Sequence, residues 1–167
     1  MIDKWDIRFL QMARLVSTWS KDPSTQTGAV IVRPDKTVCS VGFNGFPKQM
    51  PDRIELYENR DEKYSRIVHC EMNALLHAQE SVKGYMLYNW AAPCCDRCAV
   101  HMLQAGITRF VNPVPTADMI SRWGTVFEKT KRYLAECGVE FTEISRKSIE
   151  TCDSEYILNQ YKKSLGT

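Results

Sequence analysis

Two separated segments, His69-Cys70-Glu71 and Pro93-Cys94-Cys95-Asp96-Arg97-Cys98, constrain this chain more than any other feature of its 167 residues. A histidine and two closely spaced cysteines supply three soft donors, the set that holds Zn²⁺ while leaving a fourth position open for water. Any fold that uses them must bring the two segments to one point. Glu71 stands two residues after the histidine, beside that open position without having to bind the metal. The combination equips a site for metal-assisted hydrolysis with a built-in proton shuttle.

Each fragment has a plainer reading when taken alone. A single Cys-x-x-Cys in an intracellular chain is a redox pair or two buried thiols. A closed structural zinc site needs a second cysteine pair, and the sequence offers none. Taken together, in this order and each followed by helix-like sequence, the elements point to catalytic zinc. The pattern His-x-Glu…Pro-Cys-x-x-Cys is the signature of zinc deaminases that act on cytosine or adenine.

Composition narrows the field. With 44% hydrophobic residues the chain can build one well-formed core and is too short for two comfortable domains. A net charge of +2 lacks the concentrated basic stripe of a polynucleotide binder, yet a phosphorylated small ligand needs only a local cation or two. MIDKWDIRFL carries acidic residues and no sustained apolar run, so it does not read as a signal peptide, and no stretch reaches the length of a membrane span. The odd cysteine count (Cys39, Cys70, Cys94, Cys95, Cys98, Cys137 and Cys152) suits a reducing compartment, and the expected location is cytoplasmic.

Trp5, Phe9, Met12, Val16 and Trp19 recur at four- and three-residue steps, which predicts an amphipathic first helix with that stripe in the core. It ends at Ser20-Lys21-Asp22-Pro23. Residues 29–32 and 38–43 read as a hairpin turning at Pro34-Asp35, with Asn44-Gly45-Phe46-Pro47 breaking its second strand. Residues 48–66 read as a solvated loop with one helical turn. A helix from His69 to Ala78, a strand over 85–89 and a helix from the cysteines to Gly106 follow. Then come a strand over 109–112, a helix over 118–137 stopped by Gly138, a strand over 139–144 and a terminal helix over 154–165. The expected class is α/β: a mixed five-stranded sheet with helices on both faces. Residues 1–145 form the zinc-dependent domain, and residues 146–167 are a helical extension of it. Both halves of the metal motif fall at helix N-termini, where the backbone dipole favours thiolates and a charged Glu71.

The segments SKDPSTQTGAVIV, GFNGFP, HCEMNAL, CCDRCA and LQAGI resemble the deoxycytidylate (dCMP) deaminase branch of the cytidine deaminase superfamily, over residues 1 to about 145. The first two carry the branch, because zinc deaminases of every substrate class share the metal motif. The resemblance implies the three-layer α/β/α cytidine-deaminase-like fold and hydrolysis of dCMP to dUMP and ammonia, which supplies dUMP for dTMP synthesis. It also implies a homo-oligomer, often a hexamer, with dCTP and dTTP as possible effectors. His69 and two cysteines would hold zinc, an activated water would add at C4 of cytosine, and Glu71 would shuttle protons. Asn44 would contact the deoxyribose or the base carbonyl, and Lys21, in the segment 20–23, would lie near the 5′-phosphate.

Two departures from the family pattern stand out. Aligned from the right, through CCDRCA and LQAGI, the cysteine ligands are Cys95 and Cys98, with Cys94 in the proline's place. Aligned from the left they are Cys94 and Cys98, and both spacings stay on one helical face. The ligands for an additional zinc site, which some members carry before the histidine, are absent. Rival readings are a deaminase of another cytosine nucleotide or nucleoside, one acting on 5-substituted dCMP, or a non-catalytic zinc-binding oligomeric regulator. Glu71 argues against the last.

Overall fold

A computed structural model of the chain describes residues 3–150. Strand β1 (Gly28–Val32) pairs antiparallel with β2 (Val38–Phe43) in the expected hairpin, and on its other side antiparallel with β3 (Met86–Trp90). Strands β4 (Arg109–Pro113) and β5 (Glu140–Ile144) extend the sheet in parallel, giving the order β2-β1-β3-β4-β5. All five residues of β1 are buried, as a central strand covered on both faces requires. Its side chains alternate between two cores. Ala29 and Ile31 join Leu87 and Phe110 on one face, while Val30 and Val32 join Tyr88, Val111 and Ile144 on the other.

The second face is covered by α1 (Lys4–Ser17), whose N-terminus is closed by a reciprocal capping box between Asp3 and Asp6. The expected stripe is only partly right. Phe9 and Val16 are in the core, but Met12 is 38% and Trp19 52% exposed; Leu10 and Ala13 take the inner positions instead. The reason is a close approach. A Cβ on Gly28 would lie 2.1 Å from the Ala13 carbonyl oxygen, so the helix meets β1 through its smallest residue and is turned accordingly. Asp6, buried on the same face, accepts hydrogen bonds from Arg109 Nη1 at 2.6 Å and Tyr88 Oη at 2.9 Å.

On the first face lie α4 (Cys70–His77), α5 (Asp96–Gln104) and α6 (Ala117–Glu136). The expected solvated loop is wrong: residues 48–66 contain α2 (Ile54–Glu58) and α3 (Arg60–Arg66). No apolar period marks them because other contacts hold them. Tyr57 stacks on Phe46 with ring centroids 4.1 Å apart, and Asn59 caps α3 by accepting from the amides of Asp61 and Glu62. Lys63 is drawn inward to Asp22, with Nζ 2.7 Å from Oδ2. Residues 146–150 are helical again, and Ile149 packs against the α1 face. The terminal helix expected over 154–165 lies outside the described residues.

Candidate active site

Strand β2 runs into Asn44 and Gly45, and Gly45 forms an isolated antiparallel bridge with Val68, which leads directly into His69. This bridge sets the chain direction just before α4. A second constraint fixes the helix itself: a Cβ on Gly42 would lie 2.3 Å from the Ala74 amide nitrogen and 2.4 Å from the Cys70 carbonyl oxygen. Only glycine lets β2 come this close to the first turns of α4.

His69 is the N-cap of α4 and Cys95 the N-cap of α5, both with extended backbone, so the two helix N-termini converge. His69 Nδ1 lies 3.4 Å from Cys95 Sγ and 3.5 Å from Cys98 Sγ, while the Cys98 amide donates to Cys95 Sγ at 3.4 Å. One donor atom from each of His69, Cys95 and Cys98 falls within 4.8 Å of the others. Cys98 is buried, Cys95 half-buried and His69 exposed, so the set is backed by the core and opens on one side. Cys94 turns inward. Its side chain joins the core on the α4 and α5 face, Sγ meets the Cys95 carbonyl oxygen at 3.5 Å, and its own carbonyl accepts from Thr130 Oγ1 at 2.9 Å.

The protonation pattern of the three donors is unequal. The Cys95 thiol is held far below the ordinary range, first by its hydrogen bond with Cys98, against burial, and then by the His69 imidazole. Cys98, hydrogen-bonded to Cys94 and Cys95 and desolvated, is pushed up, as burial pushes up Cys94. His69 is raised to about 9, chiefly by its hydrogen bond with Cys95. The converging positive ends of α4 and α5 favour negative charge on the sulfurs. Two sulfurs and one imidazole nitrogen at this spacing fit a zinc ion.

Glu71 sits in the first turn of α4 and is buried. Its Oε1 accepts from Asn89 Nδ2 at 2.9 Å, and its Oε2 accepts from Cys70 Sγ at 3.4 Å. Asn89, from β3, is a site residue that spacing gave no reason to notice. A polar residue in a strand flanked by Leu87, Tyr88 and Trp90 was the available signal.

Asn44 is also buried, but its amide is already engaged. Nδ2 donates to the Thr25 carbonyl at 2.8 Å and to Asp22 Oδ2 at 3.3 Å, and Oδ1 accepts from the Thr27 amide at 2.8 Å. Both of its donors are used, and a second lone pair on Oδ1 remains. Asp22 is the hub beneath it. Burial alone would push the Asp22 carboxyl up, but Lys63 and the Ser24 and Thr25 groups outweigh burial and hold it below the usual range. Lys21, by contrast, is 72% exposed and pairs with Asp52 at 2.6 Å. The structure therefore gathers His69, Cys95 and Cys98 at one point, buries Glu71 in the first turn of the helix that His69 caps, ties Asn44 to the segment before β1, and leaves Lys21 on the surface.

A family model described as the cytidine and deoxycytidylate deaminase zinc-binding region matches residues 3–113. The chain is 43% identical over 142 residues to an uncharacterized deaminase in the luxG 3′ region of Aliivibrio fischeri, covering 85% of this chain and 95% of that one. To human deoxycytidylate deaminase it is 34% identical over 114 residues, 65% of this chain and 64% of the human protein. Among solved structures, dCMP deaminase from cyanophage S-TIM5 in complex with dCMP and dUMP superposes with a TM-score of 0.69 at 21% identity. The match covers 86% of this chain and 99% of the phage protein, and it shows the shared fold. The chain belongs to the cytidine and deoxycytidylate deaminase family. It is a zinc-dependent deaminase with the three-layer α/β/α arrangement of that family.

Proposed function

We propose that the chain hydrolyses dCMP to dUMP and ammonia. The observation that carries the substrate assignment is the wall of the site. Residues Ser20–Thr27 and Asn44-Gly45 are hydrogen-bonded into one unit and bridged through Val68 to His69. The segments that resemble the dCMP branch thus connect through one backbone bridge to the residue before His69, which supports this reading.

His69, Cys95 and Cys98 hold the zinc in this reading. Zinc held by these residues would supply Lewis acidity that eases deprotonation of the attacking water. Glu71 takes that water's proton on a carboxylate oxygen and delivers it to N3 of cytosine, which makes C4 electrophilic. The remaining hydroxyl oxygen bonds to C4; Glu71 then takes the proton of that C4 hydroxyl and passes it to the exocyclic nitrogen, the C4–N bond breaks as the C4 carbonyl forms, and ammonia leaves. Burial keeps bulk water from competing for these protons. Asn44 offers its remaining Oδ1 lone pair to a donor on the sugar or base, and Lys21 exchanges Asp52 for the 5′-phosphate. In this reading the protein works as a homo-oligomer with dCTP and dTTP as effectors, and exposed apolar side chains such as Leu76 are available to such a contact. Its donor thiols call for a reducing compartment, which supports a cytoplasmic location. Among the described residues no helix is long and apolar enough to cross a membrane.

Ammonia release from dCMP, CMP, dCTP, deoxycytidine, cytosine and 5-substituted dCMP tests the assignment. The expected result is the highest kcat/KM on dCMP, because phosphate binding anchors the ring at the zinc. Lys21→Ala should then weaken dCMP alone. Equal kcat/KM on nucleoside and nucleotide would contradict the proposal.

A further inference from the structure

We propose that Asn89 is the positioning residue for Glu71: it fixes Oε1 of the carboxylate so that Oε2 is presented for proton transfer. The inference rests on the reading of Glu71 as the proton carrier. Asn89 lies in β3 opposite Ala29 of β1, at a buried position between Tyr88 and Trp90. Asparagine is among the residues a strand least favours, and β-branched or aromatic side chains suit a covered central strand better. A residue that breaks a local preference beside a reactive group is expected to be kept for function.

Its hydrogen bonding supports the same reading. Nδ2 donates to Glu71 Oε1 at 2.9 Å, while Oδ1 is buried with no partner among the described residues. A buried acceptor left unpaired is destabilising, so packing alone gives no reason to place an amide here. Turning the amide over would set Oδ1 against the carboxylate. The observed orientation is the one that gives Glu71 a donor. The other carboxylate oxygen meets the weak S–H donor of Cys70 at 3.4 Å, and the Cys94 thiol is a further weak donor beside the carboxyl. Oε1 is therefore tied to the sheet by an amide donor, and Oε2, which meets the weaker thiol donor, is the oxygen that exchanges protons. The tie runs from a strand to a helix, two rigid elements, so it holds the carboxylate in place as the bases come and go.

The test compares Asn89→Leu, close in volume and without donor or acceptor, with Asn89→Thr, which suits a strand but is too short to reach Oε1. Each is measured for zinc content, and for kcat and KM on dCMP, in the wild-type and Glu71→Gln backgrounds. Both variants should keep zinc and KM while kcat falls about 100-fold, the cost of a misplaced reacting group. Added to Glu71→Gln, either substitution should cause no further fall in kcat. A folded, zinc-loaded variant with wild-type kcat overturns the inference, as does an equal loss in both backgrounds or a loss that appears in KM. If Glu71→Gln itself is active, the proton-carrier reading fails; if it is inactive while the Asn89 variants are not, this inference alone fails.

Discussion

At the scale of single residues, the site is decided by which of three adjacent thiols face the open side. Cys95 and Cys98 stand within 3.5 Å of His69 Nδ1, while Cys94 is packed into the core with its thiol protonated by burial. Cys94→Ser should accordingly retain zinc and substantial activity, and Cys95→Ser and Cys98→Ser should lose both. Metal content of the three purified variants checks this, and a zinc-free Cys94→Ser beside a zinc-loaded Cys95→Ser would contradict it. The convergence of His69 with the cysteine cluster was legible in the sequence because metal chemistry demands those residue types at short spacings. Asn89 was not, because its meaning depends on a strand and a helix 18 positions apart coming together. The saturation of Asn44 was equally hidden, since all three of its partners come from the segment before β1.

At the scale of elements, hydrophobic period and turn residues located the five strands and the four longer helices of the described residues, with ends shifted by a residue or two. They failed for α2 and α3, which are held by a ring stack, a cap and one buried ion pair instead of an apolar stripe. Lys63 of α3 reaches Ser24 Oγ at 2.6 Å as well as Asp22, so it anchors α3 to the segment that supports Asn44. Removing one partner of such a buried pair leaves an uncompensated charge. Lys63→Met should cost about 3–5 kcal/mol at pH 7. The native Asp22 carboxyl is held below its ordinary value of 3.8, so its contribution is present above that pH and is lost as pH falls through the lower, folded-state value. Asp6, held low against burial by Arg109, the Asp3 amide and Tyr88, adds a contribution of the same sign. Denaturant unfolding from pH 7 to pH 3 should show wild-type stability falling in the acid range, with Lys63→Met losing its deficit there as Asp22 protonates. Equal stability of the two proteins at pH 7 would contradict this role for the pair.

At the scale of the whole molecule, the sheet explains why the site lies where it does. β3 and β4 are parallel, and the chain leaves the carboxyl end of β3 to reach Cys95 at the start of α5. Crevices outside the carboxyl ends of strands are the usual ligand sites of α/β sheets, because helix N-termini and short loops gather there. The antiparallel hairpin of β1 and β2 adds the other wall. Gly42 lets β2 approach α4, and the Gly45–Val68 bridge delivers His69. The central claim is that this arrangement is a zinc site in which Glu71 moves the protons. Its most direct measurement is zinc content and dCMP turnover of Glu71→Gln beside the wild type. The expected result is one zinc per chain in both proteins, with turnover of the variant reduced by about 10²- to 10⁴-fold, since an amide cannot carry the proton. A zinc-loaded Glu71→Gln that deaminates dCMP at the wild-type rate would contradict it.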